Sequence, residues 1–116
     1  VRCRVLCNEA SWRLKAGPHA GTVNKLVFDA AGEHFEQSTR HLHSEPATVG
    51  DVCPVPLPIT SPLRREQGVE FVIHVVSPTV NKSHTDYMPL NDAAAALRQC
   101  YTRAFNRAYK VCQQAR

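Results

Sequence analysis

The chain has 116 residues, enough for one domain with a modest hydrophobic core. Apolar residues make up 43% of it and charged residues 21%, which excludes a disordered chain. The net charge of +4 is too small to indicate a nucleic-acid-binding protein by itself, and no apolar run reaches the ~20 residues of a membrane span.

The first part of the chain predicts one strand and two helices. The stretch CRVLCN, residues 3–8, is apolar enough for a strand buried on both faces. Thr22 suits the N-cap of the next element, and Gly32 suits its C-terminal end. Between them, the apolar face of a helix is predicted from Val23, Leu26, Val27, Ala30 and Ala31. A second amphipathic stretch, EHFEQSTRHLH, covers residues 33–43.

The second part predicts two strands and a long helix. The stretch VCPVPLPI, residues 52–59, is extended, but its prolines remove ladder donors and favour an edge strand or a partly irregular one. GVEFVIHVVSP, residues 68–78, is apolar on both faces and predicts a central strand with His74 as a hydrogen-bonded core residue. A long helix is predicted to begin near Asn91 or Asp92. Its apolar face would carry Leu97, Cys100, Tyr101, Ala104, Phe105, Ala108, Val111 and Cys112. This order of elements favours a layered α/β fold.

The cysteines and histidines do not form a recognisable reactive or metal-binding motif. The five cysteines include no CxxC pair, which predicts reduced, buried thiols in an intracellular protein, cytoplasmic or nuclear. The six histidines lack zinc-ligand spacing, so we expect neither a metal nor another cofactor. Ser61 and Ser77 each precede a proline, and no nucleophile elbow occurs. An enzyme cannot be argued from these residues alone.

An anion site is better supported by the sequence. Gly21 precedes the predicted helix start at Thr22, and a loop that leads into a helix N-terminus favours an anion through free amides and the helix dipole. Neither a GxGxxG motif nor a P-loop lysine motif is present. The sequence therefore indicates an anion at the helix start without identifying the anion.

Four motifs in this order resemble a macro domain: CNEASWRL, AGTVNKLVFDAAG, GDVCPVPLPITSPL and GVEFVIHVVSP. TVNKSHTDY and ALRQCYTRAF continue the similarity, which extends from about Cys3 to about Val111. The chain looks closest to the macro domain that accompanies aprataxin-type histidine-triad enzymes in plants and fungi. The resemblance implies a single domain over residues 1–116, with a three-layer α/β/α fold and a mixed sheet. It also implies binding of ADP-ribose or of an ADP-ribosylated protein.

The resemblance also implies the positions of ligand-binding residues. Asn8 corresponds to an asparagine near the distal ribose, and Ser11 replaces a second asparagine there. Asn24 falls where the hydrolytic branch of the family has an aspartate, and Ser77 replaces the glycine of a Gly-Pro pair. The glycine-rich loop around the distal ribose and the diphosphate is replaced by Ala20, Gly21, Thr22 and Val23.

The departures from the family pattern leave two other functions open. Ala20 and Thr22 add Cβ atoms where the backbone must approach a ligand, and Asn24 cannot serve as a general base. One alternative is an ADP-ribosyl hydrolase of the macro family. The other is a ligand-free scaffold, with no membrane partner, that binds a protein or a nucleic acid through its basic last helix. The basic residues of that helix are Arg98, Arg103, Arg107 and Lys110.

The resemblance further implies that part of the fold is absent. The aspartate that holds the adenine would precede Val1, and the second glycine-rich phosphate loop would follow Arg116. We therefore expect the chain to be truncated at both ends.

Overall fold

A three-stranded mixed sheet organises the protein. The computed structural model describes residues 4–11, 13–15, 22–43, 46–84 and 87–114. The elements in chain order are β1 (Arg4–Ala10), α1 (Val23–Ala31), α2 (Phe35–Leu42), β2 (Val52–Pro56), α3 (Pro62–Gln67), β3 (Val69–Val76) and α4 (Leu90–Gln114). The strand order is β1-β3-β2, with β1 parallel and β2 antiparallel to β3. The predicted α/β fold with a mixed sheet is confirmed.

β3 is the central strand, as its apolar faces predict. Val72 and Val76 face the layer that contains α1 and α2, whereas Ile73 and Val75 pack against α4. Helices therefore cover both faces of the sheet in three layers. His74 is fully buried within β3.

The two outer strands differ in how far they fulfil the prediction. β2 is an edge strand, which fits its two prolines because an edge residue needs no ladder donor on its outer side. The prediction that β1 is buried on both faces is wrong, because Cys7 and Glu9 are exposed. Within the described ranges β1 pairs only with β3, so its other edge is free of strand partners.

The inward face of α1 differs from the predicted face. The helix begins after the Thr22 cap and ends at Gly32, as expected. Its buried residues are Val27, Phe28 and Ala31. Val23, Leu26 and Ala30 are exposed, contrary to the prediction. The ring of Phe28 packs on Phe35 and His74, with ring centroids 4.9 and 5.3 Å away. Because this contact is large, the helix is oriented with Phe28 facing the sheet.

The long helix α4 packs through its small residues. Ala93, Cys100, Ala104 and Val111 are buried, and Cys100, Ala104 and Val111 lie against the sheet residues Ile73 and Val75. Leu97, Tyr101 and Phe105 are exposed, so the predicted apolar face is correct only in part. Small side chains let a helix approach a sheet closely, and the larger residues then lie on its flank. The helix begins at Leu90, one or two residues before the predicted start.

The short helix α3 was not predicted. Pro62 occupies its first turn, and Gly68 ends it in the left-handed conformation with a φ of +71°. Both are recognised boundary signals, but six residues are too few for a helical apolar period. No helix in the described ranges is long and apolar enough to cross a membrane.

Candidate functional site

Three of the predicted site residues meet where β1 and β3 end. The strands are parallel and aligned so that Asn8 lies opposite His74, and Ala10 lies opposite Val76. Ser11 and Ser77 are therefore the first residues beyond this aligned pair. Ligands of open α/β sheets bind at such carboxyl ends, because the loops that follow the strands converge there.

Asn8 joins this strand end to the start of α1. Its side chain is buried, and its Nδ2 donates to Asn24 Oδ1 at 2.8 Å. Asn24 lies on the inward side of α1, one turn before Val27 and Phe28, so its side chain reaches toward β1. The structure therefore places these two predicted site residues in contact with each other.

The same Asn8 amide also contacts the buried histidine. Asn8 Nδ2 lies 3.1 Å from His74 Nδ1, which must accept this hydrogen bond because the amide nitrogen carries only donors. The proton of the neutral ring is therefore on Nε2, which donates to Thr39 Oγ1 at 3.2 Å. Thr39 in turn donates to the Phe35 carbonyl oxygen at 2.9 Å. His74 is the hydrogen-bonded core histidine that the sequence predicts.

One acceptor in this network is unused. Asn8 Oδ1 is buried and has no hydrogen-bond partner in the part of the chain that the structure describes. A buried unsatisfied polar group costs about 1–3 kcal/mol, and such groups are rare outside functional sites. This oxygen is the feature of the strand end that most clearly indicates a missing donor.

The N-terminus of α1 lies beside this asparagine pair. Thr22 caps the helix, because its side chain accepts a hydrogen bond from the Lys25 amide at 3.3 Å. The amides of Val23 and Asn24 have no acceptor within the helix, as for the first turn of any helix. Val23 is 69% exposed, so this end of the helix is open. Ala20 and Gly21 lie outside the described residues.

A groove of about 430 Å³ lies between α4 and the strands β1 and β3. It is lined by Asn8 and Ser77 at the strand ends and by Tyr101 and Phe105 of α4. A larger cavity of about 580 Å³ lies at the other end of the sheet, around Gly32 and Ser61, and contains none of the predicted site residues. Of the predicted site residues that the structure describes, Asn8 and Ser77 line the smaller groove, whereas Ser11 and Asn24 do not.

The free cysteines of the described residues supply no activated nucleophile. Burial, with a smaller effect of Asp51, raises the pKa of Cys53 to about 11, and burial also raises the pKa of Cys7 and Cys100. These thiols are therefore protonated at neutral pH. The prediction of buried, reduced thiols fails at Cys7, which is exposed, and at Cys112, which is disulfide-bonded. In the described ranges, no three His, Cys, Asp or Glu side chains are close enough together to hold a metal ion.

The four predicted basic residues of α4 do not all line the same groove. Arg103, Arg107 and Lys110 line one groove with Gly50 and Asp51, on the side of the helix that faces β2. Arg103 donates from Nη1 to the Gly50 carbonyl oxygen at 3.0 Å. Arg98 does not line this groove, so the four predicted basic residues do not form one patch.

Three residues of the site region were missed by the sequence analysis. Thr39 and Phe28 complete the surroundings of His74, and Leu14 is buried in the loop after β1 with an unusual φ of +51°. The apolar period of α1 contained a signal for Phe28. No local pattern distinguishes the other two residues, because their partners are distant in sequence.

The chain is similar to known proteins over nearly its whole length. It is 37% identical over 116 residues to the Arabidopsis thaliana transcription factor bHLH140, covering 97% of this chain and 12% of that protein. The Oryza sativa APL macrodomain in complex with ADP-ribose is 34% identical with a TM-score of 0.85, over 97% of this chain and 55% of that one. An ADP-ribose binding macrodomain of Dictyostelium discoideum is 28% identical with a TM-score of 0.76, over 90% of this chain and 49% of that one.

More distant structures share the same fold. The Oceanobacillus iheyensis macrodomain with ADP is 25% identical with a TM-score of 0.65, over 96% of this chain and 52% of that one. This chain therefore spans about half the length of the solved structures that it matches. The family model described as "Macro domain" matches residues 13–113, and the chain accordingly belongs to the macro domain family, as its four motifs predict.

Proposed function

We propose that this chain binds ADP-ribose where β1 and β3 end, beside the start of α1. The observation that carries the proposal is Asn8 Oδ1, a buried acceptor without a partner in the described part of the chain. Its position in a member of a family with ADP-ribose-binding relatives supports a ligand that supplies the missing donor.

The chemistry of ADP-ribose matches the two features of this end of the sheet. A ribose hydroxyl donates a hydrogen bond, which suits Asn8 Oδ1. The diphosphate is anionic, which suits the first-turn amides of α1 and the positive end of its dipole. The hydroxyls of Ser11 and Ser77 lie at the same end of the sheet, as further partners for the ligand. In this proposal Ala20, Gly21, Thr22 and Val23 form the backbone loop around the distal ribose and the diphosphate.

The proposal is tested by thermal shift and calorimetry with ADP-ribose, with AMP and ribose 5-phosphate as controls. A ligand that binds only the folded state stabilises it by about 2.7 kcal/mol at a hundredfold excess over Kd. A dose-dependent shift with ADP-ribose and a smaller one with each half of the ligand is expected. No shift at millimolar ADP-ribose would contradict the proposal.

A charge placed at the helix start tests the diphosphate contact. Val23→Glu puts a carboxylate on the exposed first residue of α1, where the helix dipole favours a negative charge. We expect unchanged or slightly higher stability but about tenfold weaker binding of ADP-ribose. Two like charges ~6 Å apart repel by about 1 kcal/mol at the dielectric constant of water and by about 3 kcal/mol at that of a protein surface. Ile59→Glu is the matched control, since Ile59 is 76% exposed at the other end of the sheet. Equal affinity of the two variants would exclude a diphosphate at α1.

A hydrolase reaction receives less support from the site. Hydrolysis in this family's aspartate-dependent branch needs a general base, and the carboxamide of Asn24 does not accept a proton at neutral pH. We expect the purified chain to release no ADP-ribose from a modified protein. Release at a measurable rate would make the hydrolase the leading function.

Nucleic-acid binding is the second candidate. Its one supporting observation is that Arg103, Arg107 and Lys110 share a groove. Binding of duplex DNA that weakens steeply with salt in the wild type, and with a salt slope smaller by about one in Arg107→Gln, would support it. The same groove contains Asp51, and Arg103 already donates to a carbonyl, so we rank this function below ADP-ribose binding.

We also propose that the chain derives from the branch that accompanies aprataxin-type enzymes and that it functions inside the cell, in the cytoplasm or the nucleus. The plant relatives support an origin among plant macro domains without identifying the branch. Sequencing the complete transcript tests the first statement, since a histidine-triad domain in the same reading frame is expected. Imaging of the tagged full-length product tests the second.

A further inference from the structure

The side chain of Asn24 forms two hydrogen bonds, and both connect it to the protein itself. Nδ2 donates to the Lys15 carbonyl oxygen at 3.0 Å, and Oδ1 accepts from Asn8 Nδ2 at 2.8 Å. Each of the two polar atoms therefore has an internal partner. This geometry differs from that of a residue whose amide is held ready for a ligand.

The Lys15 carbonyl fixes the orientation of both amides. A carbonyl oxygen only accepts, so the nitrogen of Asn24 must face it. The oxygen of Asn24 then faces Asn8, which must turn its own nitrogen toward Asn24. The two hydrogens of Asn8 Nδ2 are used by Asn24 and His74, and Asn8 Oδ1 is left without a partner among the described residues.

The neighbouring turn is held in a strained conformation. Leu14 has a φ of +51°, a region that residues with a Cβ rarely adopt, and its amide donates to the Ser11 carbonyl oxygen at 3.0 Å. Its side chain is only 1% exposed. Such a conformation persists only where the surrounding contacts impose it. Among the described residues, the buried Leu14 side chain and the bond between Asn24 and Lys15 both hold this turn.

We propose that Asn24 is a positioning residue of the ADP-ribose site. It ties the turn after β1 to the start of α1, and it determines which atom of Asn8 remains available to the ligand. In this role Asn24 does not touch the distal ribose with its side chain. This inference rests on the proposed function and replaces the ligand contact that the family resemblance implies for Asn24.

A double-mutant cycle separates positioning from direct contact. Calorimetry gives Kd for ADP-ribose with wild type, Asn24→Ala, Asn8→Ala and the double variant. We expect Asn24→Ala to lose about tenfold affinity by itself and clearly less in a chain that already has Asn8→Ala, because a residue that acts through Asn8 loses that effect once the Asn8 side chain is removed. Asn106→Ala, an exposed position on α4, is the control.

Hydrogen exchange of the unliganded protein gives an independent readout. We expect about tenfold faster exchange of the amides of residues 13–15 in Asn24→Ala, with the amides of β3 reporting any general loss of stability. An equal loss of affinity from Asn24→Ala with and without Asn8→Ala would overturn the inference, because it would indicate a direct contact between Asn24 and the ligand. Unchanged exchange at residues 13–15 would also overturn it. If the wild type does not bind ADP-ribose, the proposed function fails, whereas the exchange experiment still decides whether Asn24 orders the turn.

Discussion

Acidification is expected to destabilise this protein through one buried side chain, His74. The ring is fully buried, stacks on Phe28 with an interplanar angle of 18°, and lies 5.1 Å from the ring of Phe35. Both ring nitrogens are used in the neutral form, since Nδ1 accepts from Asn8 and Nε2 donates to Thr39. A second proton on Nδ1 would face the amide hydrogens of Asn8. Burial, with a smaller effect of the nearby His43, lowers the pKa of His74 to about 4.

The sign and the size of the effect follow from this pKa. An unfolded histidine titrates near pH 6.5, so between about pH 6.5 and 4 the unfolded chain binds a proton at this position and the folded chain does not. The free energy of unfolding therefore decreases as the pH falls through this window. Since one pKa unit corresponds to about 1.4 kcal/mol, His74 should account for a loss of about 3 kcal/mol, with no further loss from this residue below pH 4.

Urea unfolding between pH 4 and 7.5 measures this effect as a difference between wild type and His74→Phe. Phenylalanine keeps the stacking but does not titrate, and the difference removes the contribution of the other histidines. We expect the variant to be less stable at pH 7.5 but to lose about 3 kcal/mol less on acidification. Equal slopes of stability against pH would refute the reasoning, as would an NMR titration that gives His74 a pKa near 6.5.

Two further substitutions test the packing around the site. Gly50→Ala should lower the free energy of unfolding by about 1–3 kcal/mol in urea titrations, because Gly50 has a φ of +93° and the new Cβ would lie 2.9 Å from an arginine nitrogen. Gly68→Ala, at a φ of +71° with no atom nearer than 3.7 Å, should cost less, and the reverse order would contradict this account. Thr39→Val should cost about 1–3 kcal/mol, because the buried Nε2–H of His74 loses its acceptor. Thr102→Val on the exposed face of α4 should stay within about 0.5 kcal/mol, and similar losses for the two threonines would exclude a special role for Thr39.

The strands could be predicted because their signals are local. β3 has apolar residues on both faces and lies in the centre, and the prolines of the stretch 52–59 correctly placed β2 at an edge. The burial of β1 was overestimated, because composition reveals that a strand can be buried but not which neighbours it has.

The helix faces were predicted less well, because two neighbouring faces of one helix can each have apolar residues at helical spacing. On α1 the stripe through Val23 and Leu26 competes with the stripe through Asn24 and Phe28. The structure buries Phe28, since its ring fits between Phe35 and His74. Choosing this stripe moves Asn24 inward, so the error in the helix face is also why its contact with Lys15 was not foreseen.

The polar centre of the site results from tertiary structure, and its donor count restricts the ligand. Asn8, Asn24, Thr39 and His74 come from four different elements, and their internal hydrogen bonds use every donor of Asn8 Nδ2. Asn8 therefore has only an acceptor left for a ligand. An inorganic phosphate satisfies the amides of α1 but offers a poor donor to this oxygen. In the proposed site, a ligand that combines a diphosphate with a sugar hydroxyl would satisfy both, so we expect tighter binding when the sugar and the phosphate belong to one molecule.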